Sequence, residues 1–287
     1  MSASVAELVA SGSRRLSDVT AAPRMEAEFF LCETLQQSHV WLIAHPEADV
    51  EHAPQAAFER ACARRAAGEP FQYIVGSSGF YGRTFAVDPA VLVPRPETEH
   101  LIDAALEYCG ADRRRPLRIC DVGTGCGAIA ITLACELPNA SVVAIDVSAD
   151  ALSVARTNAA RHGVAQRLTL GAADLLLTAI AHGPFDLIAA NLPYVSTSHI
   201  PPYPATLAYE PRVALDGGAD GLDVYRRFLP LAKARLARLG CLIMEAGADS
   251  AEALGVSAGR IFSGADVSVL NDYAQQPRLV IVRQGPP

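Results

Sequence analysis

The spacing of apolar and polar positions changes character twice along the 287 residues. Residues 1–70 carry helical periodicity without strand alternation. Within residues 25–36, Phe29, Phe30 and Leu35 fall on related faces, and within 58–67 Phe58 pairs with Cys62 before Gly68 and Pro70 stop the run. Breaks at Ala22-Pro23 and His45-Pro46 separate these helices, which predicts a small helical domain. Residues 71–96 change to short β-type runs, at 71–75, 84–87 and 91–93, interrupted by Gly76, Gly79 and Gly82, as in a hairpin connector. Pro94 and Pro96 then hold the chain extended, and Thr98 reads as the cap of a helix over 100–109.

From residue 97 to 287 strands and helices alternate. Strands are predicted at 117–122, 141–145, 167–170, 185–190 and 241–244, with closing strands at 267–270 and 279–282. Helices are predicted at 128–136, 151–161 and near 250–254, and Leu222, Tyr225, Leu229, Ala232 and Leu236 form an apolar stripe on another. This is the pattern of an α/β, doubly wound, Rossmann-like sheet with its last strand antiparallel. In such sheets ligands bind beyond the carboxyl ends of the strands.

Two motifs fall at that edge. Asp121-Val122-Gly123-Thr124-Gly125-Cys126-Gly127 lies between a strand and a helix, where glycines let the backbone approach a ligand and the helix start offers free N–H groups. Asp146 ends the next strand, 25 positions after Asp121, where a carboxylate can accept hydrogen bonds from a ribose hydroxyl pair. A tight βα turn or an NAD site would also explain these residues. The G-x-G-x-G spacing, preceded by an aspartate, resembles more closely the S-adenosyl-L-methionine site of Rossmann-like methyltransferases. Asp121 would then face the cofactor's ammonium, and Asp174-Leu175 would lie by the adenine, although Asp174 reads equally as a helix cap.

The second motif is Asn191-Leu192-Pro193-Tyr194, after the strand at 185–190. The Asn191 side-chain oxygen and the carbonyl of Leu192 can accept both N–H bonds of an NH₂ group while Tyr194 packs on its flat face. A poor nitrogen nucleophile can be methylated when its lone pair is aimed at the methyl group, so no strong base is demanded.

Composition narrows the field. The chain is 51% hydrophobic and 19% charged, with net charge −7 and pI near 5.5, which argues against broad adhesion to nucleic acid. There is no signal-peptide pattern and no run of about 18 apolar residues, so a cytoplasmic protein without membrane contact is expected. Seven scattered cysteines without C-x-x-C imply reduced, mostly buried thiols; Cys126 reads as filler, and no metal is expected. Glu97, Glu99 and Glu210 read as loop-ordering partners of Arg95 or Arg212, with a proton-transfer role as the alternative. Arg113-Arg114-Arg115 reads as a solvated loop, with an RNA contact as the alternative.

Taken with Glu69-Pro70-Phe71-Gln72-Tyr73-Ile74-Val75-Gly76, Val93-Pro94-Arg95-Pro96-Glu97-Thr98-Glu99 and the stretch from Tyr209-Glu210-Pro211-Arg212 to Gly221-Leu222, these motifs resemble the HemK/PrmC family of release-factor glutamine methyltransferases over nearly the whole chain. The resemblance implies methyl transfer to the side-chain amide of the glutamine in the Gly-Gly-Gln motif of class I peptide-chain release factors. By position it implies cofactor contacts from Asp121, Gly123, Thr124, Gly125, Cys126, Gly127, Asp146, Asp174, Leu175 and Asn191. The glutamine would be held by Asn191, Leu192, Pro193 and Tyr194, and the release factor gripped by the N-terminal helices. A monomer with no direct nucleic-acid substrate is expected. The chain departs from the family pattern in three places: Leu192 replaces a proline, Leu175 replaces a bulky aromatic, and Asp249-Ser250 replaces an acid-glutamine pair. Adenine methylation of ribosomal RNA, methylation of a ribosomal-protein glutamine and a catalytically silent scaffold are the rival readings.

Overall fold

A computed structural model describes residues 3–178, 180–202 and 205–285. The chain divides into two compact units, Met1–Gly76 with Pro202–Tyr209, and Ser77–Pro201 with Glu210–Pro287. Among the described residues no helix is long and apolar enough to cross a membrane.

The first unit is helical. A two-residue strand β1 (Ala3–Ser4) pairs with β2 (Asp49–Val50), and helices α1 (Val5–Leu16), α2 (Pro23–Leu35), α3 (His39–Ala44) and α4 (His52–Ala66) follow the sequence pattern. Ser4 and Glu7 form a reciprocal capping box that fixes the start of α1. Val5, Leu8, Phe30, Leu31 and Phe58 close a small core. The segment Phe71–Val75, expected as a strand, is a short helix, α5. Its aromatic and β-branched residues suit a strand, but Pro70 opens the turn, Gly76 closes it at φ 72°, and the Phe71 ring packs 5.1 Å from both Phe29 and Phe30. Tertiary packing thus overrides local preference.

The second unit opens with the hairpin β3 (Ser77–Phe80) and β4 (Arg83–Ala86). Residues 91–93, read as another β run, belong to no strand; Val93 instead donates its N–H to the Glu210 carboxylate at 3.1 Å. After α6 (Glu99–Cys109) come β5 (Arg118–Val122), α7 (Ala128–Glu136), β6 (Ser141–Asp146), α8 (Ala149–Arg161), β7 (Leu168–Ala172) and β8 (Phe185–Ala190). The chain closes with α9 (Asp223–Arg235), β9 (Leu236–Glu245), α10 (Ala251–Ile261), β10 (Asp266–Asn271) and β11 (Pro277–Arg283). The predicted apolar stripe is shorter than expected: Tyr225, Phe228, Leu229 and Ala232 are the buried face of α9, while Leu236 already starts β9.

These strands form one seven-stranded sheet in the order β10-β11-β9-β8-β5-β6-β7. The neighbours from β9 to β7 run parallel and β11 lies antiparallel between β9 and β10. Central strands β5 and β8 are almost wholly buried, as a sheet covered on both faces requires. The chain order reverses at β5, which has β6 on one side and β8 on the other, and this is where an open α/β sheet leaves its ligand crevice. Because Val122 pairs with Ala190, the residues that follow, Gly123 and Asn191, emerge side by side.

Candidate active site

A cavity of about 350 Å³ opens at this edge, and it belongs wholly to the second unit. Gly123 to Cys126, Asp146, Asp174, Leu175, Asn191, Leu192 and Pro193 all line it. The sheet therefore gathers residues that the sequence separates by some seventy positions.

The wall formed by the glycine loop is held by the backbone. Gly123 and Thr124 donate N–H bonds to the Ile145 carbonyl, at 2.9 and 3.0 Å, which folds the loop over the end of β6. Gly125 has φ +54° and nothing within 4 Å of where a Cβ would stand, so the loop offers open backbone at the point a ligand would approach. Asp146 accepts N–H bonds from Gly125 and Ser148, both at 2.9 Å. A carboxylate has about four acceptor positions, so acceptor capacity remains for hydroxyl groups in the cavity. Burial raises the Asp146 pKa, and these backbone donors partly offset that rise.

Asp121 stands under the loop rather than in the cavity wall. It is fully buried, and its Oδ2 accepts from the Thr124 hydroxyl at 2.6 Å and the Ala130 N–H at 3.1 Å. Oδ1 is buried without a partner among the described residues. Burial, opposed by those two donors, pushes its pKa up to about 7. The chain thus leaves one buried acceptor unsatisfied beneath the loop, a costly arrangement unless a ligand cation or water completes it.

Further along the wall, Asp174 pairs with Arg227 of α9, so it serves neither as a helix cap nor as a free carboxylate. Leu175 is buried at φ +54° and gives that end of the cavity an apolar lining. Cys126 is buried with its thiol pushed up to about 12, which suits the filler reading and not a nucleophile. Glu210 is ion-paired with Arg95, as a loop-ordering role requires; Arg212 pairs instead with Asp216, and Glu99 accepts the Tyr81 N–H at 2.7 Å.

The opposite wall is held by side chains. Asn191 donates through Nδ2 to the Thr98 hydroxyl at 3.1 Å; Thr98 stands at the N-cap position of α6, as expected, but its side chain makes no cap hydrogen bond. Leu192 donates its N–H to the Tyr225 hydroxyl at 3.1 Å, and Tyr225 in turn donates to the Glu245 carbonyl. Tyr194 donates its hydroxyl to Glu245 Oε1 at 3.0 Å, and burial beside that carboxylate pushes the phenol up. Among the described residues neither Asn191 Oδ1 nor the Leu192 carbonyl accepts a hydrogen bond. Gly217 permits the loop behind this wall to close up: a Cβ there would stand 2.7 Å from the Pro193 carbonyl oxygen.

Leu192 therefore does more than stand in for a proline. Its N–H makes a buried bond that proline could not, and its side chain packs 3.1 Å from where a Cβ on Gly123 would stand, joining the two walls. Thr98, Tyr225, Arg227 and Glu245 are the members that sequence reasoning missed. Only Thr98 carried a signal, its place in the Pro-Arg-Pro-Glu-Thr-Glu loop.

Comparison with known proteins agrees along the chain. The PrmC N-terminal domain family matches residues 7–76, and a methyltransferase domain family matches residues 114–230. The chain is 44% identical over 227 residues to a release factor glutamine methyltransferase of Nitratidesulfovibrio vulgaris, covering 79% of this chain and 76% of that one. It is 42% identical over 256 residues to the protein of that name from Moorella thermoacetica, with 89% of each covered. A solved structure of the T. thermophilus 16S rRNA N2 G1207 methyltransferase, in complex with AdoMet and guanosine, superposes with a TM-score of 0.52 at 20% identity, covering 73% of this chain and 50% of that one. That last likeness is one of fold.

Proposed function

This chain belongs to the release factor glutamine methyltransferase family, and from that premise we propose that it methylates the side-chain amide nitrogen of the glutamine in the Gly-Gly-Gln motif of class I peptide-chain release factors. The observation that carries this reading is the pair of unengaged acceptors, Asn191 Oδ1 and the Leu192 carbonyl, beside the open glycine loop. Two acceptors side by side match the two N–H bonds of a primary amide.

The residues present fit S-adenosylmethionine. Gly123 to Gly127 give it an open backbone cradle, Asp146 has acceptor positions left for ribose hydroxyls, and the bare Asp121 Oδ1 suits an ammonium. When bound, this cofactor supplies an electrophilic methyl group on a positively charged sulfur. Asn191 and Leu192 hold the substrate amide by its N–H bonds, fixing the nitrogen's lone pair in line with that methyl, and Pro193 and Tyr194 flank it. The amide nitrogen held in this way would take the methyl that the bound cofactor supplies, giving up one amide proton to solvent. Positioning, rather than a strong base, carries the rate. The first unit holds the release factor, and the enzyme works as a cytoplasmic monomer.

The test is a substrate panel with labelled S-adenosylmethionine: a class I release factor, the same factor with its motif glutamine changed to alanine, a ribosomal protein and ribosomal RNA. Label on the intact factor alone is expected. Label on RNA, or equal label on the altered factor, would overturn the proposal.

A further inference from the structure

The direction of the Leu192 carbonyl, one of the two acceptors of the substrate wall, depends on the peptide plane before Leu192 and on the φ and ψ of Leu192. Pro193 restricts the residue before it to extended backbone, which limits that ψ. A proline at 192 would preset φ as well. With leucine there, φ and the preceding plane have to be held by contacts.

Two contacts hold them. The Leu192 side chain is buried and packs 3.1 Å from where a Cβ on Gly123 would stand. Its N–H, which fixes the preceding plane, donates to the Tyr225 hydroxyl at 3.1 Å. Tyr225 is fully buried on α9, and burial holds its phenol well above the usual pKa, so the hydroxyl keeps its hydrogen. That one hydrogen goes to the main-chain carbonyl of Glu245, the last residue of β9, and leaves the oxygen to accept from Leu192. Two buried hydrogen bonds in series thus tie the Leu192 peptide to the end of β9. Tyr225 stands behind the cavity wall rather than in it.

We propose that Tyr225 is a positioning residue for methyl transfer: its hydroxyl aims the Leu192 carbonyl at the substrate N–H, in place of the restraint that a proline ring at 192 would supply. This rests on the reading of the Leu192 carbonyl as an acceptor for the substrate amide. The hydroxyl is then required while residue 192 has an N–H to be held, and dispensable when it has none.

Tyr225→Phe keeps the ring and removes the hydroxyl. It is expected to lower kcat for transfer to a class I release factor by about 10-fold, short of the roughly 100-fold of a 1 Å misplacement. The KM for the factor and the Kd for S-adenosylmethionine are expected to stay near wild type, because Tyr225 touches neither. In a Leu192→Pro background Tyr225→Phe is expected to cost less than about 2-fold, since no N–H is left to hold. Replacing Leu192 by its α-hydroxy acid exchanges the N–H for an ester oxygen and leaves both side chains in place. That change is expected to lower kcat as Tyr225→Phe does and not to add to it, and it decides the matter if Tyr225→Phe is too unstable to assay.

Unchanged kcat in Tyr225→Phe, or in the ester variant, would overturn the positioning role and leave the acceptor role standing. An equal loss of kcat in the Leu192→Pro background would overturn it too, as would a loss confined to KM or to the cofactor Kd. A wild-type enzyme that leaves the release-factor glutamine unmethylated would overturn the proposed function itself, and the positioning role with it.

Discussion

Each wall of the cavity rests on a fully buried carboxylate with one bonded oxygen and one bare one: Asp121 under the glycine loop and Glu245 behind the Asn191 wall. They differ in where their partners come from. Asp121 is held by Thr124 and Ala130, three and nine positions away. Glu245 is held by Tyr194, 51 positions away, and through its main-chain carbonyl by Tyr225 of α9, 20 positions away. The loop wall is therefore a local device that its own sequence builds. The acceptor wall exists only once β8 and β9 lie side by side.

The sharpest way to break this division is to remove one function from each wall. Asn191→Ala takes away an acceptor used in transfer, so kcat is expected to fall by on the order of 10²- to 10³-fold, with the cofactor Kd nearly unchanged. Single-turnover transfer alongside calorimetric titration of S-adenosylmethionine checks both. Asp146→Ala should show the reverse. Two hydrogen bonds to a charged group are lost, so the cofactor Kd is expected to rise by roughly 100-fold, with kcat at saturation much less affected. If Asp146→Ala lowered kcat and Asn191→Ala weakened the cofactor, the roles assigned to the walls would be exchanged.

A smaller effect distinguishes the buried carboxylates by pH. An ammonium beside Asp121 needs the carboxylate charged, and this group's pKa is raised to about 7. Below that pH the carboxyl is protonated and must lose its proton as the cation binds. Cofactor affinity is therefore expected to rise by up to roughly tenfold per pH unit on approaching 7 and then to level off. Asp121→Asn removes the titrating group and should flatten that rise; an identical profile in the variant would deny Asp121 its role.

The smallest effect concerns Leu192. Tyr225→Phe strands the buried Leu192 N–H and is expected to cost about 1–3 kcal/mol of stability in a denaturant titration. Leu192→Pro removes the same N–H while keeping the carbonyl, so it should change the transfer rate only modestly. In that background Tyr225→Phe should cost less, and full additivity would show that the bond contributes nothing.

The same contrast explains how much the sequence disclosed. The strand and helix alternation from residue 117 onward was legible because a doubly wound sheet is built from local repeats, and the glycine loop because turn, strand end and helix start are contiguous. The tetrapeptide was visible for the same reason. Its supports were not: Thr98 is 93 positions from Asn191, and only the packing of α6 against β8 and β9 brings them together. Thr98 read as a cap because a threonine before a helix is locally a cap. Phe71–Val75 read as a strand because the rings of Phe29 and Phe30, which hold it as a helix, lie far away in the chain.

The account as a whole stands on where the methyl group goes. Tandem mass spectrometry of a class I release factor, after incubation with this enzyme and S-adenosylmethionine, measures that directly. The expected result is one added methyl on the side chain of the Gly-Gly-Gln glutamine, formed by the wild-type enzyme and far more slowly by Asn191→Ala. A methyl on any other residue, or an unmodified factor beside methylated RNA, would contradict it.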